Sequence, residues 1–422
     1  IVMRLVGSEM CIRDSNNLIV FVYVLLLLLM FALSRQSTKI VICLLFFVSY
    51  LILPNLPNEA SLRRAGNFFI IFAAFLPSLW LLRSTAITMP SVEKTQKLLS
   101  DLISTKILSG LQVTSHILGG VLNIGTFPLL SSVIPKNAKS EIRQLAGEAA
   151  IRGMNTAVLW SPFFVSFAVG QLYLPSNSAW LGIAFGLLVA FLFNLISMRL
   201  LIGKMTLSSL FEALSCVKPI LSRLLILSGS VLAVGQIFNK TALNAIVIVI
   251  PILVIIQMLR RPETSKLIIN NLTHLIKNSG DEMLLISVSM FLGSILSGSI
   301  EIQNFITANI GENFPFWIMI IMLPLIVWFF ALLGVHPIIT SAPILSLFGP
   351  FLSVWEAAFL MQAHLIGWCA GTASSFTSLS VLTTAENFKI SIAKLVIGPN
   401  LLATGCLTIF GSLLLISLDY FL

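Results

Sequence analysis

Two stretches decide how this chain reads: GGVLNIGTFPLL at residues 119–130 and GVHPIITSAPIL at residues 334–345. Each interrupts a long apolar run with glycine, proline and hydroxyl residues near its middle. Such residues release backbone N–H and C=O groups from helical bonding. Within a bilayer there is no water to receive those groups, so irregular backbone persists only inside protein or beside an aqueous cavity. The two interrupted runs, 107–134 and 316–348, therefore read as re-entrant helical hairpins and as the best pointers to a binding site.

The rest of the chain supplies the membrane. Of 422 residues, 57% are hydrophobic and 10% charged, against roughly 25% charged in a soluble domain; mean hydropathy is +1.02. This excludes a soluble globular protein and a disordered one. Unbroken apolar runs such as 18–34 and 395–418 also exclude an outer-membrane barrel, whose strands alternate apolar and polar residues. Segments near 18–34, 40–53, 66–82, 153–174, 180–198, 224–239, 243–259, 283–299, 367–385 and 395–418 read as helical spans, which need about 20 apolar residues each. The fold class is thus an all-α polytopic membrane protein. The net charge of +9 reads as cytoplasmic loops rich in Lys and Arg, with no nucleic-acid platform. Five cysteines without a CxxC or Cys/His cluster give no expectation of disulfides or zinc. Residues 1–15 include MRLVGSEMCIRDS, which resembles translated sequencing-adapter read-through and is set aside as foreign to the fold.

The two hairpins align with each other. At an offset of 215, Gly119 pairs with Gly334, Ile124 with Ile339, Pro128 with Pro343, Leu130 with Leu345 and Ser131 with Ser346. Downstream the offset becomes 214: Ala149 pairs with Ala363, Gly153 with Gly367, Ser161 with Ser375 and Ser166 with Ser380. Matched Gly, Pro and Ser residues carry more weight here than matched leucines and point to an internal repeat. Charge is a separate test. Lys and Arg flank the first hairpin (Arg83, Lys94, Lys97, Lys106, Lys136, Lys139, Arg143), whereas residues 278–388 contain none. Further on the bias reverses, with Lys389 and Lys394 opposite the uncharged residues 175–179. By the positive-inside rule the second half is inverted relative to the first. The expected organisation is a first repeat over 16–205 and a second over 206–422, each with five spans and one hairpin. The first hairpin would open from the cytoplasm and the second from outside. Asn17 then falls outside, which is the parity expected if a leading span is missing.

With these features the chain resembles the ion transporter superfamily, and within it the divalent anion:sodium symporters. The resemblance rests on the hairpin-bearing inverted repeats across residues 18–422. It rests also on Asn123-Ile124-Gly125-Thr126 at the first tip, Asn155-Thr156 in the next segment, Thr340-Ser341 at the second hairpin and Thr372-Ala373-Ser374-Ser375 after it. None is an intact Ser-Asn-Thr, the motif that marks the family's sites, so architecture carries over and substrate does not. The resemblance implies an anionic substrate between two hairpin tips, sodium held by oxygens, a homodimer and elevator-type movement.

Sodium needs oxygen ligands, which unwound carbonyls and Asn, Thr and Ser side chains supply. The candidate ion- and substrate-binding residues are Asn123, Gly125, Thr126, Asn155, Thr156 and Ser161 in the first half. Those in the second are His336, Thr340, Ser341, Thr372, Ser374, Ser375 and Thr377. Gly119, Gly120, Pro128, Gly334, Pro337, Pro343 and Gly371 are the candidate hinge and close-approach positions. No enzyme motif is present, and no cofactor is expected beyond Na+ as a candidate coupling ion. The expected function is a secondary transporter of a small organic anion in the bacterial inner membrane, coupled to Na+ or H+. The rivals are an inorganic-ion or proton antiporter, the large membrane subunit of a tripartite transporter with a periplasmic binding protein, and a non-transporting membrane scaffold.

Overall fold

The computed structural model describes residues 2–52, 58–102, 106–135, 137–203, 207–309 and 315–421. Lys136 and the expected repeat boundary at 205/206 lie outside the described residues. The first half holds α1 (Val2–Leu33), α2 (Gln36–Ile52), α3 (Glu59–Ala86), α4 (Pro90–Ser100), α5 (Ile107–Leu122), α6 (Thr126–Ser131), α7 (Ser140–Thr156), α8 (Val165–Tyr173) and α9 (Ser176–Ser197). Then follow α10 (Leu207–Cys216), α11 (Lys218–Ile237), α12 (Ala242–Arg260), α13 (Ser265–Asn278), α14 (Gly280–Gly298) and α15 (Ile300–Asn309). The last group is α16 (Phe316–Leu332), α17 (Pro337–Phe348), α18 (Val354–Ser374), α19 (Leu379–Phe388), α20 (Ile392–Ile397) and α21 (Pro399–Phe421). Among the described residues, eight helices are long and apolar enough to cross a membrane. The chain is a multi-pass membrane protein.

Local chemistry sets several helix starts. Asn58 accepts a hydrogen bond from the Ser61 N–H and begins α3. Ser353 and Glu356 form a reciprocal capping box at the head of α18, satisfying two of the donors that a helix start leaves free. His336 caps α17 through its ring, with Pro337 in the first turn, where a missing N–H costs nothing. The short connecting helices α4, α10, α13 and α15 were not among the expected apolar segments, and α20 overlaps the start of the one expected at 395–418. They are too short or too polar to read as spans.

The first expected hairpin, taken as one stretch over Ile107–Ser131, is among the eight long enough to cross, whereas the legs of the second are counted separately as shorter helices. The 16 residues of α5 extend about 24 Å, short of the ~30 Å hydrocarbon core. α6 packs back on α5, and α17 packs back on α16. The turn in the first hairpin is made at Asn123, with φ +52°. In the second it is made at Gly334, with φ +89°. Such angles suit glycine and are tolerated by asparagine.

Two sets of helix contacts stand out, joined into one core where α14 packs on α17. One centres on α3, which packs against α1, α12, α13 and α14. The other centres on α18, which packs against α16, α21, α9, α8 and α7. α18 is buried along almost its whole length from Ala357 to Ser374. The outer faces of α2, α11, α12 and α21 expose Phe47, Ile226, Ile255 and Leu402, as lipid-facing helices do. Contiguous apolar exposure of that extent is not found on soluble monomers.

Candidate functional site

Two helices break where the hairpins meet the centre. α7 ends at Thr156, continues as a 3-10 turn over Ala157–Leu159, and restarts as α8 at Val165. α18 ends at Ser374 and restarts as α19 at Leu379. Carbonyls freed by these breaks and by the hairpin turns are met by side chains. Gln362 Nε2 donates to the Leu159 carbonyl at 3.1 Å and to the Gly182 carbonyl at 2.5 Å. Ser378 Oγ donates to the Thr372 carbonyl at 2.6 Å. The Ser161 hydroxyl donates to the Gly120 carbonyl, and Thr377 Oγ1 donates to the Gly334 carbonyl at 3.2 Å. In each half, then, a hydroxyl from the helix break holds the glycine carbonyl beside a hairpin turn. This is the internal satisfaction that a bilayer demands of irregular backbone.

The two breaks touch each other. Asn155 Oδ1, at the end of α7, accepts from Thr372 Oγ1 at 2.7 Å and from Ser380 Oγ at 3.4 Å. Its amide donates to the Ile151 carbonyl at 2.9 Å. The candidate residues of the two halves therefore meet at the partly buried Asn155–Thr372 contact, separated by 217 positions in sequence. Ser375 and Thr377 lie together, with hydroxyls 3.2 Å apart.

Two further candidates stand out. Thr126 Oγ1 and Ser341 Oγ are fully buried and have no hydrogen-bond partner. They sit 215 positions apart, the offset that aligns the hairpins. Leaving a buried hydroxyl unpaired costs about 1–3 kcal/mol. Other buried polar atoms without a partner, such as those of Thr114 and Ser289, have no such matched counterpart. A pair of hydroxyl oxygens on the returning legs of the two hairpins suits a hard cation that takes oxygen ligands.

Other candidates do structural work. Thr156 faces away from Thr372, into a layer with α5 and α9: Asn194 Nδ2 donates to its hydroxyl at 2.8 Å, and His116 Nδ1 lies 3.0 Å from it. The Trp160 indole can only donate, so its 3.1 Å contact with His116 Nε2 places that ring's proton on Nδ1. Ser374 accepts from Trp328 Nε1 at 3.1 Å and bonds back to the Ala370 carbonyl, pointing away from the crossing. Thr340 bonds within its own helix, to the Pro337 carbonyl. His336 caps α17 and stands edge-on to Trp368, as does His364, each with ring centroids 5.5 Å apart. Asn123 and Gly125 form the first turn at partial exposure. Ser380, Ser378, Trp160, Trp368 and Asn194 were not among the candidates. The tryptophans beside each break were the available signal.

Glycine marks where the hairpins are gripped. A Cβ on Gly153 would strike the Gln112 carbonyl, and one on Gly367 would lie 2.8 Å from the Pro324 Cα. These glycines, paired by the 214 offset, let α7 approach α5 and α18 approach α16. Gly119 and Gly371 similarly face Met154 and Ala331 at 2.9 and 2.8 Å. Next to this centre, Arg152 is buried with Glu148 at 3.7 Å and Asn400 Oδ1 at 2.8 Å.

By sequence, no known protein family matches the chain, and no curated protein matches it. Among solved structures it is similar to the YdaH transporter of Alcanivorax borkumensis, described as having an unusual topology. The TM-score is 0.53 at 14% identity, over 96% of this chain and 98% of that one. A second similar structure is MtrF of Neisseria gonorrhoeae, described with a class of antimetabolite efflux pumps, at TM-score 0.44 and 13% identity over 90% and 93% of the two chains. At such identities the YdaH likeness is one of fold: this chain shares the architecture of a membrane transporter over nearly its full length.

Proposed function

We propose that the chain is a secondary transporter that moves a small organic anion across the bacterial inner membrane, driven by a sodium gradient. The observation that carries this reading is the Asn155–Thr372 contact, where two broken helices from the two halves meet between the hairpins. Discontinuous helices meeting at a repeat interface are how many transporters build their sites. The YdaH-like fold supports the same reading.

The chemistry fits both cargoes. The matched, unpartnered hydroxyls of Thr126 and Ser341 offer oxygen to Na+. The restarting helices α8 and α19 present N-terminal ends, whose partial positive charge favours a carboxylate. Arg152 is engaged by Glu148 and Asn400, which leaves those helix ends to attract the anion. The group around α18 would move against the group around α3, exposing the site to each side in turn. Inverted repeats, with the first hairpin open to the cytoplasm and the second to the outside, supply the two gates. The resemblance adds a homodimer.

Purified protein in liposomes tests this. An inward sodium gradient should drive uptake of at least one member of a carboxylate panel. Uptake driven by a pH gradient and indifferent to sodium would point instead to proton coupling. No uptake across the panel, with no thermal shift by any anion, would overturn the symporter reading and favour a scaffold.

A further inference from the structure

A cleft of about 460 Å³ lies between α3, α5, α11 and α12, away from the Asn155–Thr372 crossing. Its volume is within the range of ligand pockets. The walls are largely apolar and include Leu118 and Val121 of α5 and Val254 of α12. At one end stand Arg223, Arg260 and Arg261. We infer that this cleft binds an anionic phospholipid of the cytoplasmic leaflet, with its chain along the apolar walls and its phosphate on the three arginines.

Four observations carry the inference. First, the charges are unmatched: none of the three arginines forms an ion pair or side-chain hydrogen bond with another described residue. The dipole at the end of α12 accounts for Arg260, but not for Arg223 on the neighbouring helix. Second, the cleft is open to lipid. Ile226 and Ile256 line it and are 60% and 40% exposed on the outer face of the bundle. Third, its length matches one leaflet. From Ile250 to Arg260, both lining residues, the helix rises about 15 Å, half of the ~30 Å hydrocarbon core. Fourth, the arginines lie at the ends of α11 and α12 that the positive-inside rule places in the cytoplasm, where basic pockets between helices receive anionic head groups. A water-soluble anion would use the arginines but not the walls.

The cleft touches the α5 leg just before the Asn123 turn. The inference does not depend on the transport reading.

Native mass spectrometry of the purified full chain tests it, with phosphatidylglycerol and phosphatidylethanolamine of identical acyl chains as probes. The wild type should retain phosphatidylglycerol at least about tenfold over phosphatidylethanolamine. The R223Q/R260Q/R261Q variant, changed only at half-exposed or exposed positions, should bring the two to parity. Ile256→Trp, which narrows the cleft at a lipid-exposed position, should lower phosphatidylglycerol retention with the arginines intact. Glycerol 3-phosphate, the head group without a chain, should not displace the lipid. Parity in the wild type, a preference that survives the triple substitution, undiminished retention by Ile256→Trp, or displacement by glycerol 3-phosphate would each overturn the inference.

Discussion

Asn155 shows how much rests on single polar groups here. Its carbonyl oxygen takes hydrogen bonds from Thr372 and Ser380; in Asn155→Ala the Thr372 hydroxyl keeps the Trp368 carbonyl at 2.8 Å, while the Ser380 hydroxyl must find a new partner. The expected cost is about 1–3 kcal/mol, read as a lowered thermal midpoint in detergent, together with loss of uptake. Thr126 and Ser341 should behave in the opposite way. Their hydroxyls have no partner among the described residues, so Thr126→Val and Ser341→Ala should leave stability unchanged or slightly raised while weakening sodium-dependent uptake. Lowered stability with unaltered sodium dependence would remove both from the ion site. Gly334→Ala forces a side chain into φ +89° and should cost about 1–2 kcal/mol. Candidates such as Asn155 and Thr372 were legible because polar residues beside a Gly-interrupted apolar run have few reasons to be there. The roles of Thr156 and Ser374 were not, because a hydroxyl on a helix can face either side and sequence spacing does not say which.

At the scale of elements, the interrupted runs translate into short legs and turns, and the spans after them into broken helices. The breaks fall after Thr156 and after Ser374, while the sequence could place only Asn155-Thr156 and residues 372–375 near them. A break is fixed by which carbonyls find side-chain partners, such as Leu159 with Gln362, and those partners lie far away in sequence. The matched glycines are the clearest link between sequence and packing. Gly153→Ala puts a methyl group against the Gln112 carbonyl, and Gly367→Ala puts one against the Pro324 backbone. Backbone cannot move aside as a side chain can, so each should cost about 1–3 kcal/mol, measurable as a lower thermal midpoint. Alanine at Gly229, inside α11 with open space around it, is the control and should be neutral or raise stability by up to about 1 kcal/mol. The connecting helices α4, α10, α13 and α15 were illegible because they are too short or too polar to announce themselves as spans.

For the whole molecule, charge was the most informative property of the sequence. Lys and Arg cluster around the first hairpin and vanish over residues 278–388. That asymmetry, with the 215 and 214 offsets, is what the expectation of two oppositely inserted halves, with one hairpin opening to each face, rests on. The fold brings candidate residues from both halves into contact at Asn155 and Thr372. What the sequence left unread was the set of contacts around α3 and the set around α18, since these join helices far apart in the chain. The inversion is tested most directly by side-specific labelling in intact cells, using single cysteines placed in a background from which the chain's five cysteines are removed. Ser132→Cys, at the outer end of the first hairpin, should react with a membrane-impermeant maleimide only after the cytoplasmic face is exposed. Phe351→Cys, beyond the second hairpin, should react from outside. Both positions are exposed. Labelling of both from the same face would contradict the account.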